Sequence, residues 1–510
     1  MNKVWLTSPW LLRLLMLLVG AITTFAYAPF YLSLIPVFTL AALCLLVLRT
    51  ERWQQAFWLG FCWGLGWFGA GINWVHIPIE QFGGVPLVFS LALMLLLSGY
   101  LALFPALAAC AIFTFKANRT FPLLLAAVWL LLETIRAWLL TGFPWLSLGY
   151  SQTDSLLRHW APLIGETGIS VLIVCTAAAL ALLLLRRQWY TLVFIVPLWL
   201  IAPLMQPLHG WTETGETVDV ALVQGNIKQE LRWDPAQESA TIRHYMELTE
   251  PHLGTSLIIW PEAAIPRVEI LAEPFLHELD ALLAEYDSSL ITGIIDYNFY
   301  TDAAWNSLIT LGKQHQTDST GHYRPAHTNR FEKHHLLPIG EFVPFEDLLR
   351  PLAPIFDLPM SSFSRGDYVQ NNLLANDYHL LPAICFEIAF PRQIAANLTA
   401  ETQLLLTVSN DAWFGDSIGP HQHLQIARMR ALEFGRPLLR ATNNGITATI
   451  AANGQIQQHI PQFTAAVLTD RMQLTSGHTP YSRYGDWPLF LCAFGLFIIT
   501  VIRFYIQKNP

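Results

Sequence analysis

The sequence predicts a membrane protein in which an eight-helix transmembrane bundle carries one extracytoplasmic α/β domain. Three observations lead there. Residues 1–210 are almost continuously apolar, residues 211–480 have ordinary globular composition, and a last apolar run fills much of 481–510. Strand-like and helix-like patterns alternate through the middle segment only, and the basic residues between the first apolar runs fall on alternate loops. Of the 510 residues, 53% are hydrophobic and 13% charged, about half the charge of an ordinary soluble domain. The net charge of −8 argues against nucleic acid, which needs a basic footprint.

Apolar runs long enough to cross about 30 Å of hydrocarbon lie at 9–27, 31–48, 56–75, 87–115, 121–140, 162–185 and 190–205, with an eighth at 487–507. The run at 190–205 is short and holds Pro197 and Pro203, so it is the weakest of the set. Loop charge gives an orientation. Arg49, Arg52, Lys116, Arg119, Arg186 and Arg187 occupy alternate loops, and the loops between those carry only Arg158. Basic loops stay in the cytoplasm, so both termini are expected there and the polar domain outside, on the periplasmic side if the membrane is a bacterial inner membrane. Ala26-Tyr27-Ala28 has the look of a signal-peptidase site, but Arg13 interrupts the apolar core before it and Pro29 follows it directly. Glu133 and Arg136 stand three apart in the fifth run, a spacing that lets them share a helix face and neutralise each other in lipid. Contact with a lipid headgroup is the other reading of that pair.

In the polar domain, Val218–Ile227, Leu257–Trp260, Leu290–Ile295, Ser307–Leu311, Leu380–Cys385 and Leu404–Ser409 read as buried strands. Pro235–Glu250, Glu273–Tyr286 and His421–Phe434 read as helices between some of them. Leu439–Ile450 and Ala465–Leu468 look like further strands joined through the Asn453-Gly454 turn. This alternation suits one α/β domain with helices covering the sheets.

Five of the six cysteines lie in apolar runs, and Cys385 alone lies in the polar domain. It has no partner for an internal disulfide and no neighbouring Cys or His at zinc spacing. A free thiol is only a few per cent thiolate at about pH 7, so a nucleophilic cysteine needs a base. Glu262 in Trp260-Pro261-Glu262 is the candidate base, and Lys333 in Arg330-Phe331-Glu332-Lys333-His334-His335 the candidate cation. Glu262 and Cys385 each end an apolar strand, where α/β sheets tend to place ligands. Each residue also has a plainer reading: a buried small hydrophobe for Cys385, solvated charges for Glu262 and Lys333.

Strand-Trp-Pro-Glu, then the Lys of Glu-Lys-His-His-Leu-Leu-Pro-Ile-Gly-Glu, then strand-Cys-Phe-Glu together resemble the nitrilase (carbon–nitrogen hydrolase) superfamily. Gln224-Gly225-Asn226-Ile227, Ser409 through Gly415, Ala427-Arg428 and Asn443-Asn444-Gly445 add to the likeness, in order. The resemblance implies an α-β-β-α sandwich with a Glu262-Lys333-Cys385 catalytic triad, in which Lys333 and the Phe386 N–H hold an oxyanion. It implies supporting roles for Glu341 and Glu387, and a substrate cavity lined by Trp233, Asn306 and Trp413. Phe386 stands where tyrosine is common, which leaves the backbone donor but no phenol hydroxyl.

Helices on both sides of such a domain resemble the membrane-bound acyltransferases of that superfamily. They imply a phospholipid acyl donor, an S-diacylglyceryl cysteine at the start of a lipoprotein as acceptor, no cofactor, no metal and a monomer. Two other readings remain open at this level: a membrane-tethered amidase or hydrolase, and a non-enzymatic membrane scaffold. His421-x-His423 and His334-His335 invite a zinc reading but lack a second ligand pair. Trp58, Trp63, Trp67 and Trp74 read as interface anchors and helix packing.

Overall fold

Helices lie along every apolar run. A computed structural model of the chain describes residues 8–118, 120–231, 234–338, 340–342 and 363–508, and the fold resolves into two units. One comprises residues up to Glu80, Val85–His209 and Arg483 onward; the other comprises Gln81–Gly84 and Gly210–Ser482.

The first unit is helical: Pro9–Ile22, Ile35–Val47, Trp53–Gly71, Leu87–Phe115, Phe121–Arg136, Ala161–Arg186, Tyr190–Leu200 and Trp487–Lys508. Several are shorter than the runs that contain them, because Pro29, Pro36 and the 138–147 turns interrupt the apolar pattern. Among the described residues, three helical stretches are long and apolar enough to cross a membrane: Pro9–Ala26, Leu87–Phe115 and Leu156–Arg186. Small residues let neighbouring backbones approach, as in lipid-embedded packing generally. A Cβ on Gly20 would collide with the Trp63 carbonyl, and one on Gly66 with the Leu17 carbonyl. Trp63 and Trp67 are buried, and Trp67 stacks on Trp129 with ring centroids 6.4 Å apart; both therefore pack between helices rather than anchor at an interface. Arg136 pairs with Glu133 and donates to the carbonyls of Phe143 at 2.6 Å and Trp145 at 2.7 Å. The pair is thus committed to holding a turn inside the unit.

The second unit is built on two six-stranded sheets. The strands are β1 (Trp211–Gln224), β2 (Leu257–Ile259), β3 (Ser289–Asn298), β4 (Ala303–Gly312), β5 (Arg330–Glu332), β6 (Leu373–Ala375), β7 (Tyr378–Ile384), β8 (Leu404–Ser409), β9 (Leu438–Thr442), β10 (Thr447–Ile450), β11 (Ile456–Ile460) and β12 (Ala466–Gly477). Their orders are β12-β1-β2-β3-β4-β5 and β11-β10-β9-β8-β7-β6. Each sheet has a parallel centre, β1-β2-β3 in one and β7-β8-β9 in the other, flanked by antiparallel strands. Parallel strands need both faces covered, and their sequences are accordingly near-continuous runs such as Leu-Ile-Ile and Leu-Leu-Leu-Thr-Val.

Val220, Leu222, Ile259, Ile291 and Leu308 from the first sheet meet Leu380, Ile384, Leu406, Val408 and Leu439 from the second in one buried core. Helices Glu238–Thr249 and Glu269–Glu285 cover the outer face of the first sheet through Tyr245, Leu276 and Leu283. Helix Gly419–Phe434 lies against β9, and helix Pro391–Asn397 against β7. The layers run α-β-β-α. Two expectations are corrected. Leu439–Ile450 is two antiparallel strands, because Asn443-Asn444-Gly445 turns the chain, and the Asn453-Gly454 turn joins β10 to β11 rather than to the last strand. The short strands β5, β6 and β11 are too brief or too polar to register in a periodicity.

Gly293 of β3 carries a local constraint. Its N–H donates to the Pro261 carbonyl and its own carbonyl accepts from Ile265, so the turn through Glu262 lies flat upon it. A Cβ there would strike the Ala263 amide nitrogen. Gly293→Ala is therefore expected to cost about 1–3 kcal/mol by overpacking, read as a lowered unfolding midpoint; an unchanged midpoint would contradict this packing.

Candidate active site

Three strand ends deliver the chemistry. Glu262 follows β2, Lys333 follows β5, and Cys385 follows β7 at the mouth of a short 3-10 turn, Cys385–Ala389. Cys385 has φ +54° and Ala263, next to Glu262, has φ +42°. Both sit in a backbone region that L residues adopt only when surroundings enforce it, which is a feature of functional turns.

Lys333 is the centre of the charge arrangement and is 1% exposed. Its Nζ lies 2.7 Å from Glu341 Oε1 and 3.4 Å from Glu262 Oε1. Burial by itself would lower the ammonium pKa, but the carboxylates of Glu341 and then Glu262 outweigh it and hold the group well above its usual value. The two carboxylates thus favour the charged ammonium.

Glu262 is fixed at both oxygens. Asn306 Nδ2 donates to Oε1 at 2.7 Å, and the Asn410 backbone N–H donates to Oε2 at 2.9 Å. The same Asn306 amide lies 3.1 Å from Glu341 Oε1, whose other oxygen accepts the Leu337 N–H at 2.8 Å. Asn306 also gives its backbone carbonyl to the Lys333 N–H at 2.8 Å. It is thus a bridge within the charged group, and its Oδ1 is buried with no hydrogen-bond partner among the described residues.

The Cys385 thiol is pushed up, chiefly by burial and next by the Glu262 charge, with Lys333 and a hydrogen bond from Ser409 acting against them. Below about pH 8 it is a neutral thiol that must lose its proton to a base. Glu387 tells how the pieces are held together. It is fully buried, and its Oε1 accepts from the His334 N–H at 2.8 Å, the His335 N–H at 3.0 Å and Gln393 Nε2 at 2.8 Å. Its Oε2 accepts from the Ile384 N–H at 2.9 Å. One carboxylate therefore ties the segment after Lys333 to the turn that carries Cys385. Burial raises its pKa, and these donors oppose the rise.

The structure thus brings together Glu262, Lys333, Glu341, Asn306 and the Cys385-Phe386-Glu387 turn. Trp413 lies in the turn Asp411–Phe414 and meets Phe82 edge to face, with centroids 4.9 Å apart; Trp233 lies outside the described residues. His334 and His335 engage the Gly366 carbonyl and Gln393 Oε1, and His335 stacks on Phe390. No cluster of three or more metal-ligating side chains occurs among the described residues.

Ser409, Asn410 and Asp411 were legible as part of the likeness and His423 as a metal candidate, but nothing in the sequence placed them, or Arg440, beside Cys385. The placement comes from the parallel pairing of two strands that end together: Ile384 lies beside Val408, so the residues after each strand are neighbours.

Fold and site together define a domain of the carbon–nitrogen hydrolase class, and residues 219–478 match the Carbon-nitrogen hydrolase family. Residues 19–179 match the Apolipoprotein N-acyltransferase N-terminal domain. The chain is 45% identical over 498 residues to the apolipoprotein N-acyltransferase of Photobacterium profundum, covering 96% of this chain and 94% of that one. It is 46% identical to that of Vibrio cholerae, covering 93% of each, and 38% identical to that of Haemophilus influenzae, covering 97% and 95%. The chain belongs to the apolipoprotein N-acyltransferase family.

The raised thiol has a direct readout. Its thiolate fraction at neutral pH is smaller than that of a free cysteine, since the neutral form is the one favoured. Alkylation of Cys385 by iodoacetamide is expected to be slower than for a free thiol at about pH 7.5 and still rising at about pH 10, where a free thiol has levelled. A plateau near the free-thiol position would contradict the environment described.

Proposed function

We propose that the chain transfers a fatty acyl chain from a membrane glycerophospholipid, through an acyl-thioester on Cys385, to the α-amino group of the N-terminal S-diacylglyceryl cysteine of apolipoproteins. The observation that carries this reading is the buried ammonium of Lys333 held between the Glu341 and Glu262 carboxylates near Cys385, in a chain whose other unit is apolar helices. Glu262 takes the thiol proton and the Cys385 thiolate attacks the ester carbonyl. The negative charge moves to the carbonyl oxygen, where Lys333 Nζ and the Phe386 N–H receive it. The oxyanion collapses, the lysophospholipid oxygen leaves with the proton from Glu262, and the acyl group stays on sulfur. The acceptor amine then attacks the thioester, Glu262 takes its proton, and the thiolate leaves as the amide forms.

Glu341 fits a positioning role in this scheme. It shares Lys333 with Glu262, so the cation is balanced without the base having to surrender its own negative charge. Glu387 positions the Lys333 and Cys385 segments relative to each other. Trp233, Asn306 and Trp413 are assigned to the substrate cavity, and no cofactor or metal takes part.

The remaining assignments belong to the same reading. Residues 1–210 form seven membrane spans, 211–480 the catalytic domain, and 481–510 the eighth span and tail. The catalytic domain lies on the periplasmic side of the inner membrane with both termini cytoplasmic, and the protein acts as a monomer. The alternation of basic loops supports the orientation. Lipid substrates give the membrane helices a purpose that a water-soluble amide would not.

The test supplies labelled phospholipid and then a diacylated cysteinyl peptide. Wild-type protein is expected to gain one hydroxylamine-labile acyl adduct on Cys385 by intact mass, and to pass it to the peptide amine. Free fatty acid without acylated peptide would identify a hydrolase instead, and a protein that never loads would sink the mechanism. Cys385→Ala is expected to form no adduct. Lys333→Met should slow loading by about 100- to 1,000-fold, as loss of an oxyanion partner does. Glu341→Gln is expected to load but to fail in turnover.

A further inference from the structure

A second polar cluster, which the scheme above does not use, touches the nucleophile from behind. Ser409 Oγ lies 3.3 Å from Cys385 Sγ and 2.6 Å from Asp411 Oδ1. Arg440 Nη2 donates to Asp411 Oδ2 at 2.6 Å. His423, from helix Gly419–Phe434, places Nε2 3.1 Å from the Cys385 carbonyl, and Nδ1 3.1 Å from Arg440 Nη2 and 3.2 Å from Asp411 Oδ1. All four side chains are almost fully buried, Asp411 at 2% and the others at 0%.

The Cys385 carbonyl can only accept, so His423 carries a hydrogen on Nε2. Nδ1 faces both the Arg440 donor and the Asp411 carboxylate, and a ring whose basicity is lowered leaves that nitrogen bare toward Arg440. Burial and then the Arg440 charge favour this neutral imidazole. Burial opposes ionisation of Asp411, but the Arg440 charge, His423 and the Ser409 hydrogen bond together outweigh it and hold the carboxyl well below its usual range. His423 thereby pins the carbonyl of the residue at φ +54°, and Asp411 is a fixed anion.

Ser409 is left with one hydrogen and two acceptors. While Cys385 is a neutral thiol, the carboxylate at 2.6 Å is the better acceptor. Once the sulfur becomes an anion the preference changes, because Asp411 has its charge matched by Arg440 at 2.6 Å, whereas Lys333, which faces the thiolate, is shared with Glu341 and Glu262.

We propose that Ser409 is a further catalytic residue, whose hydroxyl hydrogen turns from Asp411 to the Cys385 sulfur as the thiol loses its proton, with Asp411, Arg440 and His423 as positioning residues. This rests on Cys385 being the nucleophile. The sulfur's proton goes to Glu262, Ser409 keeps its own, and the turn exchanges one hydrogen bond for another without breaking a covalent bond. The charged groups facing the sulfur are then Glu262, Lys333 and Asp411, with Glu341 behind Lys333, Arg440 and the neutral His423 behind Asp411, and Glu387 two residues along.

The test reads the thiol directly and so does not depend on acyl transfer. Full-length protein in detergent is alkylated with iodoacetamide across pH, and Cys385 is followed by peptide mass spectrometry, separately from the other five cysteines. Ser409→Ala is expected to move the profile up by about one pH unit, the size expected for losing one hydrogen bond to an anion. At about pH 8 the rate should fall only about threefold, since a tenfold loss of thiolate is partly offset by its greater nucleophilicity. Ser409→Thr keeps the hydroxyl and should follow wild type. Asp411→Asn should move the profile down, because it removes a negative charge and frees the Ser409 hydrogen for sulfur. A Ser409→Ala protein with an unchanged unfolding midpoint and an unmoved profile overturns the proposal. If Ser409→Ala does not fold, Asp411→Asn decides alone, and a profile that stays or rises overturns it. If the alkylation shifts appear but wild type never takes up acyl groups, the hydrogen bond stands and the acyltransferase reading falls.

Discussion

A buried ammonium needs negative partners, and Lys333 is the constraint around which the rest of this site is organised. Moving a cation out of water costs several kcal/mol even after relaxation. Glu341 at 2.7 Å and Glu262 at 3.4 Å offset that cost through close contact. Each carboxylate in turn needs donors for its remaining lone pairs, and the Asn306 amide, the Asn410 N–H and the Leu337 N–H supply them. The result is a charged group with no slack. A residue removed from it leaves an uncompensated charge, so the site is held by the same interactions that would stabilise an oxyanion.

The two sheets explain how residues so far apart in sequence arrive there. Each sheet has a parallel centre, and parallel neighbours end in the same direction. Glu262 leaves the end of β2, while Cys385 and Ser409 leave the ends of β7 and β8. Lys333 comes from β5, at the edge of the first sheet, and has no such alignment of its own. Its backbone continues the pairing with Asn306 on β4, and Glu387, whose carboxylate collects the amides after Lys333 and the amide before Cys385, ties that edge to the Cys385 turn. The buried glutamate thus does for the edge strand what the parallel register does for the central ones.

Much of this was legible in the sequence, and the limits have physical causes. Central strands announce themselves as short apolar runs, because both their faces are covered, so β2, β3, β7 and β8 could be read with Glu262 and Cys385 at their ends. The edge strands β5, β6 and β11 are brief and partly exposed, and carry no such signature. Cys385 stood out because it was the one cysteine in polar surroundings. Ser409 and Asp411 were legible only as part of the likeness, and Arg440 not at all, because their place beside Cys385 depends on the register of β7, β8 and β9. Helix lengths were overestimated where proline and turns divide an apolar run, a division that composition does not show.

The chemistry of the thiol gives the arrangement its direction. A cysteine surrounded mainly by negative charge is a poor anion, and Glu262 and Asp411 both act against ionisation while, among the described residues, Lys333 supplies the facing positive charge. That looks unfavourable for a nucleophile, yet it suits one that must wait. A neutral thiol resists oxidation and adventitious alkylation, which matters on the proposed periplasmic side of the membrane. In the proposed scheme the thiolate is transient, its charge passing to the donor carbonyl. Glu262 loses its own negative charge on taking the thiol proton, so Lys333, fixed in place beforehand, faces the developing oxyanion with one fewer competing carboxylate. Under that proposal the stabilisation grows from the resting thiol to the transition state, which is the difference on which rate depends.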